Sequence, residues 1–145
     1  MDPERQLLGN LVLARSGVDR AAEHRGDASW VAARRADPAS RVMQVADGAA
    51  RMSHGPGTAL AFQPATDVDP EIELTLLGVD GGVTYFAEHR AERADEGWAD
   101  LRQAGADLGD RDAGLMVTAV ALDNWNRTHL RCPRCGSPTE QSMAG

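Results

Sequence analysis

The chain has 145 residues, 42% hydrophobic and 26% charged, a formal net charge of −7 and two cysteines. That length suits one ordinary domain with an appendage, large enough to bury a core without disulfides. The negative charge argues against nucleic acid as a partner, and no stretch approaches the roughly 20 apolar residues that a membrane-spanning helix needs.

The opening, "MDPERQLLGNLVLARSG", starts with acids and shows no basic-then-apolar leader, which predicts a cytoplasmic protein. From Asp19 the text has helical spacing. Asp27 or Ser29 is placed to cap a helix through Trp30, Val31 and Ala32, which Pro38 closes. "RVMQVADGAARM" reads as a strand, a turn at Asp47-Gly48 and a returning strand. After the Gly/Pro stretch "SHGPGT", a short apolar strand is expected over Ala59 to Phe62, then a polar loop through "QPATDVDPE". In "EIELTLLGV", Ile72, Leu74 and Leu76 alternate with Glu71, Glu73 and Thr75, and after Asp80-Gly81-Gly82 the chain returns as "VTYFAEH". This predicts a hairpin with one face in water. Residues 88 to 110 are polar, with Trp98 and Leu101 as expected anchors of a loop and short helix. "DRDAGLMVTAVALDNWNRTHL" then predicts a helix burying Leu115, Ala119, Leu122 and Trp125 or Asn126 and ending near His129, with Asp110 and Asp112 at the positive end of its dipole. Together these elements predict a mixed α/β (α+β) fold, an antiparallel-rich sheet with flanking helices, then a long helix leading to a cysteine knuckle.

Cys132 and Cys135 form the C-x-x-C of "CPRCG", whose two-residue gap lets both thiolates face one centre. A closed structural zinc site needs four ligands, and these two supply half. His129 lies near enough in sequence to be considered as a third ligand, though a histidine at a helix end more often stays on the surface. The alternative is a thiol-redox pair, which normally opens a helix after a strand, whereas this pair follows a helix. His24, His54 and His89 stand apart from any metal-ligand spacing, and Trp30, Trp98 and Trp125 read as core anchors. "GVDGG" joins two strands, so it is not a phosphate-binding loop.

"DRAAEHRGDASWVAARRADPASRVMQVADG", "LLGVDGGVTYFA" and "DRDAGLMVTAVALDNWNRTHLRCPRCGSPTE", in that order, resemble the N-terminal region of NADH pyrophosphatases, NAD(+) diphosphatases of the Nudix hydrolase superfamily. The resemblance implies an N-terminal domain over residues 1–110, a connecting helix over 111–130 and the first half of a four-cysteine zinc ribbon over 131–145, with Cys132 and Cys135 as metal ligands. Arg131 stands where the family usually has an aromatic. The family's second cysteine pair and its Nudix box, G-x5-E-x7-R-E-x2-E-E-x-G, do not occur here, nor does any "RE" or "EE" pair. That box holds the Mg²⁺ or Mn²⁺ of pyrophosphate hydrolysis on clustered carboxylates. The chain is therefore expected to be a truncated, non-catalytic part of a protein that hydrolyses NADH or NAD⁺ to NMN(H) and AMP, with NAD-capped RNA as a further expected substrate. The implied cofactor of this part is zinc, the implied assembly a homodimer, and NAD(H) is expected to bind only with the catalytic domain. A free-standing zinc-binding regulatory or interaction module is the alternative.

Overall fold

The computed structural model describes residues 11–141; the leader reading of the first ten residues and the last four residues of the expected half ribbon lie outside them. Among the described residues three α-helices, α1 (Ala28–Arg35), α2 (Leu101–Ala104) and α3 (Asp110–Thr128), accompany six strands: β1 (Arg41–Ala46), β2 (Ala49–Arg51), β3 (Gln63–Pro64), β4 (Leu74–Asp80), β5 (Val83–Arg90) and β6 (Trp98–Asp100). They form one sheet in the order β4-β5-β1-β2-β6, with β3 paired to β1. The mixed α/β class holds, with an antiparallel-rich sheet. Only β1 and β5 run parallel, in register from Arg41 opposite Tyr85 to Ala46 opposite Arg90.

Both expected hairpins form. Asp47 and Gly48 turn with φ of 48° and 72°, the mirror-image turn that matches strand twist, and set Ala46 opposite Ala49. In the second hairpin Asp80 pairs with Val83, and a register shift between Leu76 and Gly78 bulges β4. Gly78 is required there: its φ is 156°, and a Cβ would come within 2.3 Å of the Asp19 carbonyl oxygen. Asp19 and Val79 exchange backbone hydrogen bonds of 3.0 and 2.7 Å, so the incoming chain adds itself to β4. Arg25 Nη2 donates to the Leu76 oxygen at 2.8 Å, pinning the bulge from outside, and burial pulls its pKa down.

The expected wet face of the β4–β5 hairpin is not observed. Leu74 through Gly78 and Thr84 through Glu88 are all buried, Thr75 included, because each face has a cover. On one side α2, α3 and the segment between them pack Ala104, Leu108, Leu115, Met116, Ala119 and Val120 against Met43, Val45, Leu77, Tyr85 and Ala87. On the other, α1 with the turns around Ala21 and Ala65 covers Val42, Leu74, Leu76 and Phe86, using Trp30, Val31 and Val68. Asp27 caps α1, accepting from the backbone N–H groups of Ser29 and Trp30 at 3.0 Å each; of the two expected caps it is the one that acts.

Three local expectations are corrected. Ala59 to Phe62 makes only a single bridge, Met52 to Leu60, and the strand pairing with β1 falls on Gln63 and Pro64. The supposed polar loop that follows buries Ala65 and Val68. The third concerns α3, whose buried residues are Asp112 to Met116, Ala119, Val120 and Asp123, which leaves Leu122 half-buried and Trp125 58% exposed. Trp125 is therefore no core anchor; the buried stripe is rotated away from it.

Candidate functional site

Beyond α3 the chain makes a tight knuckle. Cys132 N–H donates to the Ser137 oxygen and Gly136 N–H to the Cys132 oxygen, both at 2.8 Å, while Arg131 bridges to Pro138. Gly136 supplies the turn with φ of 75°. The loop thus folds Cys132 and Cys135 back on one another, both as free thiols, the first half-buried and the second exposed. The Ser137 hydroxyl, 3.4 Å from Cys135 Sγ, is the largest influence drawing the Cys135 pKa below the ordinary thiol value; the Ser137 N–H and the Cys132 thiol assist. A thiolate-favouring knuckle suits a soft divalent ion. Among the described residues no group of three or more His, Cys, Asp or Glu side chains is placed to hold a metal, so these two donors stand without a third. His129 is otherwise engaged: its ring stacks on Trp125 with centroids 3.5 Å apart, and Nδ1 lies 3.1 Å from the Trp125 carbonyl oxygen.

Between the knuckle and the end of α3 opens a cavity of about 780 Å³ lined in part by Leu122, Trp125, Leu130 and Pro133. Leu130, 66% exposed, and Trp125, 58% exposed, give this end an apolar character.

The sheet brings together polar groups that their sequence positions do not advertise. His89, which has no metal-ligand spacing in the sequence, lies between β4 and α3, Nδ1 3.3 Å from Asp123 Oδ1 and Nε2 3.1 Å from Thr75 Oγ1. A carboxylate only accepts, so Nδ1–H donates to Asp123, while Nε2 shares the second hydrogen bond with the Thr75 hydroxyl. The order Thr–His–Asp is that of a nucleophile, its base and its orienter. Thr75, however, is 2% exposed and no substrate reaches it, which makes the chain of bonds a clasp of α3 onto the sheet. Asp112 does similar work at the other end of α3. Its Oδ2 accepts the Leu60 backbone N–H at 3.1 Å, and Arg111 holds its Oδ1 at 2.8 Å, raising the Arg111 pKa. On the opposite face of the sheet Glu88, 4% exposed, accepts from Gln44, Gln63 and Arg90. None of these buried acids was foreseen; the only available signal was an acid at a position that strand or helix period places inward.

A mixed sheet with helices on both faces is the fold class that the sequence elements predict. Residues 39–125, more than half of the chain, match the family described as NADH pyrophosphatase-like rudimentary NUDIX domain, and the chain belongs to that family. It is similar to the human protein NAD(P)H pyrophosphatase NUDT13, mitochondrial, with 38% identity over 73 residues that cover 48% of this chain and 21% of that one. The mouse protein of the same name is 42% identical over 45 residues, covering 31% of this chain and 13% of the relative. The matched part thus amounts to about a fifth of the human relative's length. No described helix is long and apolar enough to cross a membrane.

Proposed function

We propose that this chain is the non-catalytic N-terminal domain of a NAD(H) pyrophosphatase-like Nudix hydrolase, and that Cys132 and Cys135 contribute two of four thiolates to a structural zinc. The observation that carries the reading is the family match over residues 39–125, joined to a sequence without a Nudix box. When bound, zinc would tie the knuckle to whatever supplies the other two ligands and so lend folding energy to the tail. The knuckle's backbone hydrogen bonds and the paired thiols fit that role. A thiol-redox role is disfavoured because the pair follows the C-terminus of α3 and opens no helix.

In this reading the Mg²⁺ or Mn²⁺ of pyrophosphate hydrolysis, NAD(H) binding and cleavage to NMN(H) and AMP belong to a Nudix domain outside these residues. A homodimer and a cytoplasmic location are part of the same proposal; the two relatives are mitochondrial by name. The test is chromatographic. NADH incubated with the chain and either metal should yield no AMP above a mock preparation, and metal-dependent AMP that co-purifies with the chain would overturn the reading.

A further inference from the structure

On the α1 side, past Val42 and Phe86, successive residues of the parallel pair place Gln44 beside Glu88 and Ala46 beside Arg90 on that face; Ala46 and Glu88 are buried, and Gln44 is half-buried. Here β1, β2 and the Ala61–Gln63 segment enclose a cleft of about 200 Å³ lined by Val42, Gln44, Arg51, Ala61, Phe62 and Gln63.

Its polar groups are held from behind. Glu88 Oε2 accepts from Gln44 Nε2 at 2.9 Å and from Gln63 Nε2 at 3.4 Å, and Arg90 Nη1 donates to Oε1 at 2.7 Å. A carboxylate cannot donate, so both amide nitrogens must face Glu88, and the two amide oxygens are turned away from it. Among the described residues neither oxygen accepts a hydrogen bond from the protein, nor is either sealed from solvent. The charges are matched internally: Glu88 by Arg90, and Arg51 by Asp95, which also accepts from Trp98 Nε1 at 3.2 Å. The Arg51 guanidinium lies 5.8 Å from the Trp98 ring centroid, which further fixes it.

We propose that this cleft is a binding site for a neutral, flat heterocycle carrying an exocyclic amine, of the kind presented by adenine or cytosine. Two fixed carbonyl acceptors, from Gln44 and Gln63, ask for an N–H₂ group. Ala61 supplies the apolar side, Val42 being buried beneath the cleft and the Phe62 ring packed on Tyr85, and Arg51 offers N–H donors to ring nitrogen or carbonyl acceptors on the far edge. Since each ion in the cleft has its partner in the protein, recognition rests on the hydrogen-bond pattern and owes little to ligand charge. The volume admits one ring system and no more, so the expected dissociation constant is on the order of 0.1 to 1 mM.

Cytidine and uridine differ at the one edge that matters, as do adenosine and inosine, each second member having a carbonyl in place of the amine. In ¹H–¹⁵N spectra of the intact chain, cytidine and adenosine should shift the Gln44 and Gln63 side-chain amides and the Ala61 amide saturably. Uridine and inosine should bind at least about tenfold more weakly, as expected where a site built for a donor loses it. Gln63→Leu, at a half-buried position, should abolish the cytidine and adenosine shifts while its remaining spectrum reports an intact fold; Gln44→Leu serves if that variant is disturbed. Equal shifts with uridine and inosine, no saturable shift with any nucleoside up to about 10 mM, or undiminished binding by well-folded Gln63→Leu and Gln44→Leu chains would each overturn the assignment.

Discussion

The sheet domain and the knuckle are held by different means. In the sheet domain Met43, Val45, Leu76, Phe86, Leu115 and Met116 are at most 1% exposed, and burial of such side chains is what makes a fold self-sufficient. The knuckle residues from Arg131 to Gln141 include no buried side chain; backbone hydrogen bonds and one turn define their path. A segment without an apolar interior needs something else to stay folded, and the zinc proposed above would supply it. The difference separates a scaffold held by its own core from a tail held by backbone hydrogen bonds.

The sharpest way to break this contrast is to open the core. Leu115→Ala removes a buried side chain from the centre of the α3 contact and should cost about 2 to 5 kcal/mol in urea unfolding. The equivalent cut in the tail, Leu130→Ala at a 66% exposed position, should leave the unfolding midpoint unchanged. A Leu115→Ala loss below about 1 kcal/mol would mean that α3 is not part of the cooperative core.

Next in size is the clasp. Asp123→Ala leaves His89 without its acceptor and loosens α3 from the sheet, with an expected loss of about 1 to 3 kcal/mol. Thr75→Val, which removes only the hydroxyl at the other end of the bond chain, should cost less. If Asp123→Ala is neutral, the contact at 3.3 Å is incidental.

A smaller effect falls on α1. The Ser29 hydroxyl and the backbone N–H groups of Trp30 and Ser29 hold the Asp27 carboxyl below its usual range. A depressed carboxylate pKa contributes stability that is present above the unfolded value and lost as pH falls through the folded one. Asp27→Asn, which still caps, should therefore flatten the acid side of the stability profile while leaving neutral stability nearly unchanged. An unaltered acid limb would show that the cap's charge does not matter.

The tail should respond to metal alone. Zinc at about one equivalent per two chains should increase the sedimentation coefficient, because two knuckles together complete a four-thiolate site. Chelator should reverse the shift and Cys132→Ser should abolish it; no shift under reducing conditions would remove the thiols from the dimer contact.

What the sequence disclosed follows the range of the interactions. Asp47-Gly48 and Asp80-Gly81-Gly82 announce their hairpins because turn chemistry is local, and Asp27 announces its cap for the same reason. The parallel pairing of β1 with β5 joins residues 44 apart in the chain, as Gln44 with Glu88, and leaves no local trace. Local alternation puts Thr75 on a solvent face, though cover on both faces of the sheet buries it. The cysteine pair was legible from its spacing. The cleft at Gln44 and Gln63 was not, since its two acceptors come from different strands and are aligned by an acid on a third.

The independence of the two regions is tested most directly by deleting residues 131–145 and comparing thermal melts with the intact chain in the absence of zinc. The account predicts melting temperatures that agree closely, with the sheet domain unfolding in one cooperative step. A loss of more than about 10 °C would contradict it, because a tail whose described residues bury no side chain would then be carrying several kcal/mol of the sheet domain's stability.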